Sequence, residues 1–145
     1  MTENIRVIDA KDAILGRLCS IVAKRLLEGE FIHIVNIEKA VISGKKGAII
    51  GEYKRRNEIR TLSNPRKGPF HPKRPDTLLK RTVRGMLPWK KPKGKQAFKR
   101  LRVHIGVPEE LSSYSFERIE EADKKRLRCK YITLGELCRE LGWNA

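Results

Sequence analysis

Hydrophobic residues recur in this chain with two periods, and each change of period marks a new element. Ile5-Arg6-Val7-Ile8 reads as a short strand ending at Asp9-Ala10-Lys11-Asp12, where polar side chains can open a helix. Ile14, Leu15, Leu18, Ile21, Val22 and Leu26 then return at helical spacing. Arg17, Lys24, Arg25 and Glu28 occupy the opposite face, and Gly29 is the natural C-cap. Phe31 to Asn36, rich in β-branched residues, predicts a second strand leading into Glu38-Lys39-Ala40-Val41-Ile42-Ser43-Gly44. Strand, helix and strand in this succession make a βαβ unit, whose strands pair in parallel through a right-handed crossover.

From Lys45 to about Ile59 the spacing predicts a basic helix, with Ile49, Ile50, Tyr53 and Asn57 or Ile59 on one side and Lys54-Arg55-Arg56 on the other. The pattern then stops. Residues 64–75, Asn64-Pro65-Arg66-Lys67-Gly68-Pro69-Phe70-His71-Pro72-Lys73-Arg74-Pro75, hold four of the seven prolines. So many prolines break any backbone ladder, which predicts an extended loop ordered by a partner. Asp76 can cap a helix whose apolar positions are Leu79, Val83, Met86 and Leu87 and which Pro88 stops. Residues 89–95 read as a second basic loop. A short helix around Ala97 and Phe98 leads into a strand over Leu101 to Ile105. Near the C-terminus, Thr133-Leu134-Gly135-Glu136 is a capping-box pattern ahead of Leu137, Cys138 and Leu141, with Gly142 as C-cap and Trp143 packing beyond it.

Charge changes this picture more than composition does. The net charge is +16 over 145 residues, and it is not spread evenly. Residues 1–40 carry six Lys/Arg against six Asp/Glu, residues 41–107 twenty against three, and residues 108–145 seven against eight. A basic middle with a charge-balanced tail, 108–145, fits one domain over 1–145 that docks against phosphates. Tyr53, Phe70, His71, Trp89 and Phe98 lie among the cations and offer flat faces to unstacked bases, which favours RNA. The longest apolar stretches are far too short to span a bilayer, and the first residues carry no signal-peptide pattern, so the expected location is the cytoplasm.

Catalytic and metal chemistry find little support. Cys19, Cys129 and Cys138 form no CxxC pair and no zinc spacing, and Cys19 and Cys138, inside apolar helical patterns, point to small hydrophobes in a reducing compartment. Ser43-Gly44-Lys45 lacks the first glycine of a phosphate loop. His33, His71 and His104 stand apart from any serine or cysteine, and Asp9 with Asp12 fits turn and cap chemistry. No cofactor and no small-molecule substrate are expected.

Several segments carry a resemblance. Val7-Ile8-Asp9-Ala10, Leu15-Gly16-Arg17-Leu18, Val35-Asn36 with Glu38-Lys39, Ser43-Gly44-Lys45, and above all Arg81-Thr82-Val83-Arg84-Gly85-Met86-Leu87-Pro88 followed by Leu101-Arg102-Val103 resemble the large-subunit ribosomal protein L-thirteen family. The Trp89-Lys90 continuation, the proline-rich insert and the closing Leu134-Gly135 and Gly142-Trp143 are similar to its archaeal and eukaryotic branch. The resemblance implies a three-layer α/β/α domain on a small, mainly parallel four-stranded sheet with basic loop extensions. It also implies a non-catalytic constituent of the large ribosomal subunit that binds large-subunit rRNA beside neighbouring ribosomal proteins and supports early assembly. The residues expected to meet RNA are Lys45, Lys46, Lys54, Arg55, Arg56, Arg60, Arg66, Lys67, His71, Lys73, Arg74, Lys80, Arg81, Arg84, Gly85, Trp89, Lys90, Lys91, Lys93, Lys95, Lys99 and Arg100. Gly85 in mid-helix suggests a close approach that a Cβ would block. Two other readings stay open: an RNA-binding translational regulator acting off the ribosome, and a small nucleotide-binding enzyme.

Overall fold

A computed structural model describes residues 5–58, 63 and 73–143. Strand β1, Ile5–Asp9, and strand β2, Phe31–Val35, pair in parallel with Ile5 opposite Phe31 and Asp9 opposite Val35. Helix α1, Leu15–Leu27, connects them, so the expected βαβ unit is present. Strands β4, Leu101–Val103, and β5, Phe116–Glu117, extend the sheet in the order β4-β2-β1-β5, all parallel. Alternation along the strands sorts their side chains. Ile8, Ile32, Ile34, Leu101 and Val103 face the main core, while Val7 and Val35 point to the second face and meet Leu111.

Leu18, Val22 and Leu26 of α1 and Leu79 and Val83 of α3, Pro75–Met86, fill the main core. The second face carries a thinner layer, the helical turn Glu109–Leu111, completing an α/β/α layering. A two-stranded antiparallel sheet of β3, Val41–Ser43, and β6, Tyr131–Thr133, flanks this body. It leads on one side into α2, Lys46–Glu58, and on the other into α5, Leu134–Glu140, whose Leu134, Leu137 and Cys138 join the same core. Thr133 accepts a hydrogen bond from the Glu136 amide at 3.3 Å, the N-cap half of the capping-box pattern, and Gly142 follows the C-cap Leu141 at φ +111°. Trp143 packs against the core.

Five boundaries differ from expectation, the three helix starts each for a physical reason. Helix α1 starts at Leu15 with Ile14 as an N-cap that offers no side-chain acceptor. Asp9 instead accepts from the Lys11 amide and from Asn36 Nδ2, holding the turn after β1 together. Helix α3 starts at Pro75, one residue before Asp76, because proline at the first helical position has no amide to satisfy. Residues Pro92–Lys95 are not loop but the first half of α4, Pro92–Lys99, again with proline at its start. There the buried Gly94 lies so close beneath the Leu87–Lys91 turn that a Cβ would collide with the Pro88 carbonyl oxygen. Finally, β2 ends at Val35 and β4 at Val103, and Asn36 takes a left-handed conformation.

Candidate nucleic-acid interface

Helix α3 turns one face to the core and another to solvent. Leu78, Leu79 and Val83 are buried, while Thr77, Arg81, Arg84 and Gly85, spaced at helical intervals, are exposed. Met86, expected in the core, is 43% exposed, and Leu78 takes a core place that the spacing left unassigned. The chain then turns sharply over Leu87–Lys91, held by the Lys91 amide donating to the Pro88 carbonyl at 3.0 Å. That turn carries Trp89 back over the end of α3. The Arg84 guanidinium lies 4.3 Å from the centre of the Trp89 ring, and the ring meets Phe98 of α4 edge-on at 5.3 Å. Trp89 is therefore a half-buried rim residue, clamped between a cation and an aromatic edge.

A shallow hollow of about 470 Å³ opens here, lined by Arg81, Arg84, Gly85, Leu87 and Trp89. No acidic side chain lines it. A Cβ on Gly85 would touch nothing within 4 Å, so no neighbouring element among the described residues explains this glycine. Lys90, Lys91, Lys93, Lys95 and Lys99 are exposed around the turn and along α4. Among the described residues, the carboxylates pair with Arg6, Arg25, Lys46, Arg56, Arg74, Arg118 and Lys124. None pairs with Arg81, Arg84 or the lysines of the turn and α4. Among the described residues this is the largest set of uncompensated cations on adjoining elements, and Arg84 is already oriented by the ring beneath it.

The remaining candidates divide. Lys54 and Arg55 are exposed on α2, and Lys45 stands exposed before it. Lys46 reaches Glu136 at 3.7 Å, Arg56 bonds Glu52 at 2.6 Å beneath the Tyr53 ring, and Arg74 meets Asp76 at 3.4 Å. Lys80 is half-buried on the flank of α3 and Lys73 is exposed before it. Arg100 is committed elsewhere: its Nη1 donates to the Leu26 carbonyl at 2.8 Å and satisfies the C-terminal end of α1. Arg60, Arg66, Lys67 and His71, with the proline-rich loop through residue 72, lie outside the described residues.

The structure also joins groups that the sequence separates. His33 and His104 stack with ring nitrogens 3.0 Å apart on the second face of the sheet. Burial lowers both their pKa values, with the charges of Arg102 and of the partner ring adding to the effect on His33. Burial likewise pushes the Cys19 and Cys138 thiols up to about 12, which keeps them protonated and inert. The Gly44 amide donates to the Lys130 carbonyl at 2.7 Å, so the Ser43-Gly44-Lys45 turn spends that donor on the residue before β6 rather than presenting it to a phosphate. Among the described residues no three metal-ligating side chains cluster, and no helix is long and apolar enough to cross a membrane.

Comparison with known proteins agrees with the motifs. The family model described as Ribosomal protein L13 matches residues 3–110. The large ribosomal subunit protein uL13 of Methanopyrus kandleri is 51% identical over 144 residues, covering 97% of this chain and 89% of its own. The protein of the same name from Archaeoglobus fulgidus is 50% identical over 143 residues, covering 97% and 90%. That of Methanocaldococcus jannaschii is 51% identical over 138 residues, covering 94% and 96%.

Proposed function

This chain belongs to the ribosomal protein L13 family, a structural rather than an enzymatic family, and on that premise we propose that it is a constituent of the large ribosomal subunit that binds large-subunit rRNA through the α3–α4 face and supports early subunit assembly. The basic segment 41–107 is the RNA-facing part of a single domain, and the protein resides in the cytoplasm on the ribosome beside other large-subunit proteins. The observation that carries this reading is the hollow between α3 and the Trp89 turn. Arg81 and Arg84 stand there without a carboxylate, and Gly85 leaves the helix backbone open to approach.

Each part has a physical task. Arg81, Lys90, Lys91, Lys93, Lys95 and Lys99 neutralise phosphates and release condensed counterions, which supplies affinity without reading sequence. Arg84 presents a planar fork that Trp89 keeps in place, so less side-chain freedom is lost when it binds two phosphate oxygens. Gly85 lets a sugar-phosphate strand lie against the helix where any side chain would hold it away. The hydrophobic core beneath α3 holds these groups in fixed relation, so the face exists before RNA arrives.

Sedimentation tests the reading. The tagged full chain is expected to travel with large subunits through a high-salt wash and to appear in early large-subunit precursors. Recovery at the top of the gradient, free of particles, would overturn it.

A further inference from the structure

The C-terminal segment is charge-balanced only as a sum. Residues 108–123 hold six acidic residues against Arg118 alone, whereas residues 124–130, Lys124-Lys125-Arg126-Leu127-Arg128-Cys129-Lys130, hold five cations and no acid. Among the described residues, two of the six carboxylates and one of the five cations are ion-paired. On the acidic side, Glu117 takes two hydrogen bonds from Arg25 at 2.8 and 2.9 Å, and Asp123 meets Arg118 at 3.9 Å. On the basic side only Lys124 is paired with a carboxylate, with Asp12 at 3.3 Å, and the Arg126 Nε donates to the Glu120 carbonyl. Among the described residues, the side chains of Lys125, Arg128 and Lys130 are exposed and have no carboxylate within ion-pair distance.

Two further cations and a ring join them. The Lys130 carbonyl accepts the Gly44 amide, which sets Lys130 beside Lys45, and Tyr131 is 44% exposed with Lys124 Nζ 5.4 Å from its ring centre. Exposed Lys125, Arg128 and Lys130 thus precede an exposed aromatic side chain in one short segment, with exposed Lys45 brought alongside through the Gly44–Lys130 bond, the combination that suits a single-stranded or irregular RNA segment. An acidic protein surface needs no such ring.

Position separates this patch from the α3–α4 face. The Lys124 amide donates to the Asp12 carbonyl and the Ile14 amide to the Ala122 carbonyl, which ties the run to the N-terminal end of α1. At the other end of α1, Arg100, next after α4, holds the Leu26 carbonyl, and Trp89 packs on Phe98 in the last turn of α4. The 13 residues of α1 keep the two anchor points roughly 20 Å apart. Resting on the ribosomal reading above, we infer that Lys45, Lys125, Arg128, Lys130 and Tyr131 form a second RNA-binding surface, and that the protein joins two separate rRNA segments across the length of α1. The run lies beyond residue 110, where the family match ends.

Cys129 sits within the run and is exposed, whereas Cys19 and Cys138 are buried, so the natural chain offers one addressable thiol at the right place. An iron chelate that generates hydroxyl radicals is attached there. In a Cys129→Ser background a second chelate goes at Gln96→Cys on α4, and each full chain is bound to large-subunit rRNA transcribed in vitro. Cuts from the two positions are expected in different rRNA segments. Combined Lys125→Glu, Arg128→Glu and Lys130→Glu should reduce those from Cys129 at least tenfold, leave those from position 96, and keep the thermal midpoint. The slope of log affinity against log salt should become shallower by about 2 to 3, since each phosphate contact contributes about 0.7 to 0.9. Cuts from position 96 alone, cuts by both probes in one segment, or an unchanged slope would overturn the second surface. Absence of cuts from both would defeat the ribosomal reading itself and this inference with it. Protection of Cys129 in assembled subunits without rRNA cleavage would assign the run to an acidic protein neighbour instead.

Discussion

Helices α1 and α3 are 13 and 12 residues long, both are amphipathic and they pack on one another, yet their polar faces end differently. In α1 the guanidinium of Arg25 is taken by Glu117, and those hydrogen bonds raise the Arg25 pKa and lower that of the carboxyl. In α3 Arg81 and Arg84 meet no carboxylate among the described residues, and the neighbour of Arg84 is an aromatic ring. Hydrophobic periodicity decides which side of a helix enters the core. Whether the other side serves folding or binding depends on charges that arrive from elsewhere in the chain, here from a residue 92 positions away.

Salt should separate the two helices most strongly. If on the order of eight phosphates are neutralised at the α3–α4 face, affinity for rRNA is expected to fall about 10³ to 10⁵-fold between 50 and 200 mM salt. Over the same range the thermal midpoint, set by the core under α1, should move little. A flat binding curve would erase the distinction. Leu18→Ala attacks the other side of the comparison: the side chain is fully buried, and its loss should cost about 2 to 5 kcal/mol in denaturant titrations. The folded fraction of that variant should keep its RNA affinity.

Two glycines sharpen the contrast at finer scale. Gly94→Ala drives a methyl group against the Pro88 carbonyl and should destabilise by about 1 to 3 kcal/mol. Gly85→Ala meets open space, so helix propensity should stabilise the fold by up to about 1 kcal/mol while rRNA binding weakens. Opposite signs in melting and binding for Gly85→Ala would mark a residue kept for its partner. A smaller effect concerns pH. Burial holds the folded pKa values of His33 and His104 below the ordinary 6.5, so the unfolded chain binds protons more readily. Their contribution to stability is complete above about pH 6.5 and declines as pH falls through the lower folded values. Melting between pH 7 and 5 checks this, and His104→Asn should flatten the decline.

The βαβ unit was legible because its apolar residues repeat at periods that survive in the final packing, as Ile32 and Ile34 do on one face of β2 and Leu18, Val22 and Leu26 on one face of α1. The start of α4 was not, since Pro92, Gly94 and its lysines have the composition of a loop, and only the contact beneath Pro88 shows why a helix suits them. The cations of α3 were visible as a cluster. Their lack of carboxylate partners was not, and neither was the capture of Arg100 by the end of α1, because both depend on where distant residues come to rest. The His33–His104 pair has the same origin, 71 positions apart in the chain. The basic run at 124–130 was hidden differently: summing charge over the whole tail cancelled it against the acidic residues of 108–123, two of which, Glu117 and Asp123, the fold pairs internally.

The most direct test of the division between the core and the α3–α4 face replaces Arg81, Arg84, Lys90 and Lys91 together by Glu. Melting, rRNA affinity and incorporation into large subunits are then measured on the same preparation. Surface changes of this kind usually alter stability by under about 0.5 kcal/mol each, so the variant should remain folded. At 0.15 M salt its rRNA affinity should drop on the order of 10³-fold, as the loss of four phosphate contacts requires, and incorporation should cease. A folded variant that entered subunits at normal levels would contradict the account and leave the basic helix α2 as the face to examine.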